Sequence, residues 1–238
     1  MLSEVVAQPD RNDRKLLELL AEIRRKAGKV RDVDVQMAAL ESLKIAGGNG
    51  DKAHFVEALV EERRKNEKKL SRACNRKTEK EIRRRSNRAA SQLDRVKDAA
   101  PLALAWNRLA ELLKSHFPLT ERSLHQYRIV GKRARYIAEL DSSDPQARQL
   151  VKQLKSVQDV IGDWHDWLKM TQKAEKLLSA AHESALIAML QNLTRSKYRA
   201  ALDAVAEMRS RFAKPAAAVP VPAPKSASRQ PSRSASAA

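Results

Sequence analysis

A single cysteine, Cys74, stands in a chain of 238 residues. One thiol allows neither an intramolecular disulfide nor a cysteine-based zinc site. Glycine occurs only 6 times and aromatic residues make up 4%. A β-sandwich or barrel with many tight turns uses more of both, which argues against an all-β fold. No run of about 18 apolar residues is present, so no membrane-spanning helix is expected. The opening segment MLSEVVAQPDRND has neither a basic n-region nor an apolar h-region. No secretory leader is read there, and a cytoplasmic location is the default. A glycine-rich phosphate cradle is also missing, because the only glycine cluster is the short run around 47–50.

Acidic residues are in short supply as well. There are 29 Asp and Glu against 47 Lys and Arg, a formal net charge of +18. Such a chain attracts polyanions: nucleic acid, an acidic membrane surface or inorganic polyphosphate. The excess is uneven. Residues 51–100 hold 16 basic and 9 acidic side chains, whereas residues 1–50 are nearly balanced at 9 and 8. Residues 214–238 hold 4 basic residues, no acidic ones and five of the nine prolines, without apolar periodicity. That stretch is expected to be a disordered, partly polyproline-II tail.

Apolar residues, 42% of the chain, are carried mainly by Ala, Leu and Val, and charged residues make up 32%. This balance suits an all-α fold with solvated outer faces. Leu16, Leu20, Ile23 and Ala27 recur at helical spacing and run into Gly28, a natural residue for a helix end. A second helix is expected from near Arg31 to the glycine cluster. A long charged helical stretch follows from about Asp51 to Lys97, with Cys74 marking a candidate break. Pro101 opens a helix that reaches Leu113 and closes before Pro118. Thr120 caps the next, which runs to about Leu140. Ser143 or Asp144 caps another, with Pro145 in its first turn, and that helix is expected to end at Gly162. Two more follow, from about Trp164 to Ser179 and from about His182 to Phe212. The architecture is expected to be helical bundles joined by short turns.

An offset of 134 residues superimposes two of these segments. Leu16 meets Leu150, Leu17 meets Val151, Leu20 meets Leu154, Ile23 meets Val157 and Ala27 meets Ile161. Gly28 then falls on Gly162 and Asp32 on Asp166. The segments read as two copies of one helix–turn–helix, with Gly28, Asp32, Asp34, Gly162 and Asp166 as structural-turn residues. Repeat 1 spans about 10–118 and repeat 2 about 119–213, within one helical domain over 1–213. The second copy is preceded by a basic helix that starts its pattern at His125. The same offset puts the first copy's equivalent before Met1, so the first copy is expected to be truncated or its start misplaced.

That basic helix, SLHQYRIVGKRARYIAEL, is strongly two-sided. At 100° per residue, His125, Arg128, Lys132, Arg135 and Tyr136 share one side over roughly 15 Å, and Arg133 flanks them. Tyr127, Val130, Ala134, Ile137 and Ala138 fall opposite and form a core face. Like charges one turn apart repel. A linear polyanion relieves that repulsion, with arginine forks, a lysine point charge and a His or Tyr hydrogen bond to phosphate oxygen. The competing reading is a solvated face neutralised by internal carboxylates such as Asp32, Asp34 and Asp166. A second stripe of Lys65, Lys69, Arg72, Arg76 and Arg83 forms only if the helix through Cys74 is continuous.

The run HQYRIVGKRARY, with LKSVQDVIGDWHD after it and KVRDVDVQMAAL far upstream, resembles the conserved-histidine α-helical (CHAD) family. Its pattern His-x-x-Arg-Ile-x-x-Lys-Arg-x-Arg-Tyr is met by His125, Arg128, Ile129, Lys132, Arg133, Arg135 and Tyr136. Its Arg-Asp-x-Asp-Val element is met by Arg31, Asp32, Asp34 and Val35. The resemblance covers about residues 14–212. It implies two pseudo-symmetric helical bundles facing a basic groove that binds inorganic polyphosphate, with an association with polyphosphate granules following from that. The implied binding set is His125, Arg128, Lys132, Arg133, Arg135 and Tyr136, together with Arg31, Lys152 and Lys155. The family carries a His-x-x-Arg helix in both copies, and here the first is missing.

No catalytic constellation is legible, and no cofactor or metal is expected. Glu79, Glu81 and Arg83 only loosely match the Glu-x-Glu-x-Lys motif of triphosphate tunnel enzymes, and they sit in a helical pattern rather than a strand. His165 and Asp166 are adjacent and do not converge on one ion without a third ligand. His54, His116 and His182 have no identifiable partners. The leading reading is a non-enzymatic polyphosphate-binding module. Non-specific nucleic-acid binding is the alternative, and it is disfavoured because the stripe offers only Tyr136 for base stacking. An enzyme acting on polyphosphate needs a nucleophile with a base, or a metal site, and neither is visible.

Overall fold

The computed structural model describes residues 10–44, 49–91, 100–114, 119–178 and 184–213. Seven α-helices and no strand occur among them. They are α1 (Arg11–Ser42), α2 (Asn49–Ala73), α3 (Arg76–Ala90), α4 (Pro101–Lys114), α5 (Glu121–Ala138), α6 (Pro145–Leu178) and α7 (Ala185–Ala213). A single 3-10 turn, Glu139–Asp141, links α5 to α6. The expected tail at 214–238 lies outside the described residues, as do Gly47, Gly48, Lys97, His116, Pro118, Ser179 and His182. No described helix is long and apolar enough to cross a membrane.

Local signals account for most helix starts. The Asp10 carboxylate accepts from Asp13 N at 2.8 Å, and Asp13 returns the bond to Asp10 N at 3.3 Å. This reciprocal capping satisfies two of the free donors at the start of α1. Thr120 and Ser123 do the same for α5. Asp144 accepts from Gln146 N at 2.6 Å and opens α6 ahead of Pro145. The charged stretch breaks where Cys74 marked it. Asn75 leaves helical geometry, accepts from Thr78 N at 3.0 Å and donates to the Arg72 carbonyl at 2.9 Å, serving both helix ends at once. Arg76 and Arg83 therefore belong to a different helix from Lys65, Lys69 and Arg72, and the five do not form one continuous stripe.

The two glycine turns are corrected. Gly28, with Asp32 and Asp34 beyond it, lies inside the uninterrupted α1, and Gly162 and Asp166 lie inside α6. An interior glycine costs a helix only about 1 kcal/mol relative to alanine. Here the apolar stripe continues in phase on both sides of each glycine, so tertiary packing overrides the local stop signal. Val33 and Leu40 are buried after Gly28, and Trp164, Met170 and Ala174 after Gly162. The helices expected from near Arg31 and from Trp164 are thus the second halves of α1 and α6.

Each long helix pairs with the one that follows it, α1 with α2 and α6 with α7, and α3 folds back on α1. Two cores result. The larger joins α4, α5, α6 and α7 through residues including Leu109, Leu124, Ile137, Leu154, Ile161, Trp164 and Val205. The smaller joins the second half of α1 and the first half of α2 to the second half of α6 and the start of α7, through Val33, Leu40, Phe55, Leu59, Met170, Leu186 and Leu190. The α6–α7 pair thus runs through both cores. The first half of α1 belongs to neither. Asn12 holds it to α3 by donating to the Arg85 carbonyl at 3.2 Å and accepting from the Arg85 guanidinium at 3.3 Å.

Candidate anion-binding groove

Helix α5 turns its faces as its sequence pattern requires. Leu124, Tyr127, Gly131, Ala134, Ile137 and Ala138 are buried, and Val130 is half-buried. Burial pushes the Tyr127 phenol above its ordinary range, with Arg209 opposing. The other side keeps His125 and Arg133 exposed, with Arg128, Lys132, Arg135 and Tyr136 half-buried. Half-burial anchors the aliphatic stems and leaves the charged heads at the surface.

Helix α6 runs antiparallel along α5. His125 stacks on His165, with centroids 5.9 Å apart and planes 25° from parallel. Two turns away, Gly131 lies against Gln158. With these anchors, the register sets Arg128 opposite Gly162 and Lys132 and Arg135 opposite Gln158 and Lys155. No heavy atom lies within 4 Å of a β-carbon position at Gly162, so the wall facing Arg128 is open there. Behind the histidines, Trp164 meets the His165 ring edge-on and packs against Tyr198 of α7. The imidazole pair is therefore backed by the larger core.

The cations of α5 are poorly neutralised. Among the described residues, Arg128, Lys132 and Arg133 have no carboxylate within 4.0 Å. Arg135 alone of the stripe bridges one, Glu139 at 3.2 Å, while its buried Nε has no partner. Tyr136 sits beneath two cations, with Arg135 Cζ 4.8 Å and Lys132 Nζ 5.9 Å from its ring centre. Of the acids considered as neutralisers, none bridges a Lys or Arg of α5. Asp34 pairs with Arg63 at 2.6 Å, Asp32 with Lys169 at 3.5 Å, and Asp166 is 3.8 Å from His165 Nδ1.

The remaining candidates separate. Lys155 and Lys152 are both exposed on α6, Lys152 about 60° farther round the helix from the α5 seam than Lys155. Arg31 is exposed on α1, and no hydrogen bond, ion pair or ring contact joins it to α5. The sequence pattern offers His165 only as an unsupported metal ligand beside Asp166. Its signal was the register, because the antiparallel pairing of α5 and α6 brings it opposite His125. Of the tryptophans, Trp164 is buried, Trp167 packs on the smaller core and donates to Asp163 at 3.1 Å, and Trp106 meets Phe212 edge-on at 5.2 Å. Among the described residues no group of three His, Cys, Asp or Glu side chains is arranged to hold a metal ion.

Comparison with protein-family models matches the CHAD domain over residues 4–172, and no curated protein and no solved structure matches the chain.

Proposed function

Because this chain belongs to the CHAD domain family, we propose that it is a non-catalytic binding protein for inorganic polyphosphate, with the exposed side of α5 as one wall of its site. The observation that carries this reading is the unpaired state of Arg128, Lys132 and Arg133 beside the His125–His165 stack. A run of cations without carboxylate partners is strained by its own repulsion and gains from a linear anion of matching spacing. Each phosphate oxygen can accept from a guanidinium fork, an ammonium or a protonated imidazole. Lys155, exposed on α6, is assigned to the same site. A cytoplasmic location, with polyphosphate granules as the place of action, belongs to this reading.

The test is a titration of long-chain polyphosphate against single-stranded DNA of equal charge. Tighter binding of polyphosphate supports the reading, and preference for DNA overturns it in favour of nucleic-acid binding. Affinity should fall steeply with added salt, since each neutralised phosphate releases a counterion. Changing Arg128, Lys132 and Arg135 together to Ala should weaken binding by about 2–4 kcal/mol, or about 30- to 1000-fold. Removing Lys225, Arg229 and Arg233 deletes the same charge from the tail and serves as the control.

A further inference from the structure

Beyond α5, four lysines flank a cleft of about 390 Å³ between α1, α2 and α6. Lys29 comes from α1, and Lys169, Lys173 and Lys176 come from α6. The cleft has a polar, buried floor: Gln36 is 4% and Asn66 8% exposed. Both amides touch the lysines' surroundings. Gln36 Oε1 accepts from Lys173 Nζ at 2.8 Å, and Asn66 Nδ2 donates to the Lys29 carbonyl at 3.5 Å.

Two carboxylates hold two of the four cations. Glu62 bridges Lys173 at 2.8 Å and Asp32 bridges Lys169 at 3.5 Å. Lys29 and Lys176 have no carboxylate within 4.0 Å among the described residues. The cleft therefore keeps an uncompensated positive charge at its two ends.

Its position links it to the groove. His165 stacks on His125 of the α5 stripe. Lys169 stands one turn beyond His165 on the same side of α6, and Lys173 and Lys176 follow at helical spacing. They carry the cationic track roughly 16 Å past the imidazole pair. We infer that this cleft is a second anion subsite, into which a phosphate chain lying along α5 continues past His165. The inference rests on the polyphosphate reading above. Lys29 and Lys176 attract the chain, while Lys169 and Lys173 exchange their carboxylates for phosphate oxygens. Exposed ion pairs are weak, whereas lysine–phosphate contacts are charge-assisted and repeat along the chain. Asp32 and Glu62 offset half of the four lysine charges and oppose entry of short or weakly charged anions.

The experiment compares K29A/K176A with the wild type, using long-chain polyphosphate and tripolyphosphate as probes. Both lysines are exposed and unpaired, so the thermal transition should not move. K44A/K68A removes equal charge from exposed positions elsewhere and is the control. Long-chain affinity should fall about tenfold in K29A/K176A and no more than about twofold in the control. Tripolyphosphate, too short to span both subsites, should be held by α5 and lose little. E62Q should free Lys173 and tighten long-chain binding beyond the effect of E57Q. Equal losses in K29A/K176A and its control, or an equal loss for tripolyphosphate, would overturn the continuation. R128A/K132A/R135A, run alongside, separates the two claims. If that variant loses binding and the cleft variant does not, the second subsite alone is wrong. If it loses nothing, the polyphosphate reading of α5 is wrong, and the subsite with it.

Discussion

Leu20 on α1 and Leu154 on α6 fall together at the 134-residue offset, yet Leu154 is 1% exposed and Leu20 is 39% exposed. The difference lies in what runs alongside. Helix α5 lies along the first half of α6 and closes over Leu150, Leu154 and Ile161. On α1 Leu16, the match of Leu150, is buried as well, but farther along the same face Leu20, Arg24 and Arg31 are exposed and the space at Gly28 is open. The same two regions differ in their charges. Six of the fourteen Lys and Arg side chains of α2 and α3, Arg63, Arg64, Lys65, Arg83, Arg84 and Arg85, are bridged to carboxylates. Those of α5 are mostly not. Residues 51–100 carry the larger basic excess, but part of that charge is bridged, mostly to carboxylates of the same helix. On the proposed reading, binding follows the arrangement of charge more than its count.

The largest expected effect sharpens the contrast in burial. Leu154→Ala should lower the unfolding free energy by about 2–5 kcal/mol, because it opens a cavity in a closed core. Leu20→Ala should cost less than about 1 kcal/mol at its open site. Denaturant unfolding of the two variants measures this, and similar costs would mean that α1 is covered after all.

The contrast in charge comes next. R63A/R64A/R85A removes three paired cations and R128A/K132A/R135A three from the stripe, at equal change in net charge. Only the second should weaken polyphosphate binding by the 30-fold or more given above. Equal losses would return the protein to diffuse, count-driven binding.

Gly28→Ala and Gly162→Ala have the smallest expected effects, and they are informative by sign. Both positions are helical, and nothing lies within 4 Å of an added methyl. Each substitution should stabilise by about 0.5–1 kcal/mol, through helix propensity and the reduced freedom of the unfolded chain. Destabilisation at either position would mean a left-handed turn there.

What could be read from the chain alone was local. The helical class, the caps at Thr120 and Asp144, the break beside Cys74 and the two faces of α5 all depend on residues within a few turns of one another. One-hundred-degree periodicity and short-range hydrogen bonding were enough to see them. The glycines misled because their local cost, about 1 kcal/mol, is smaller than the burial gained by carrying each helix on into a core assembled from distant segments. His165 stayed hidden until α6 folded against α5, since its partner lies forty residues earlier in the chain. Which cations remain free was likewise beyond the sequence. Asp34 is placed against Arg63, Asp32 against Lys169 and Glu62 against Lys173 by helix packing. Side-chain charge is a property of the sequence; its neutralisation is a property of neighbours within 4 Å, and only the tertiary structure chooses those.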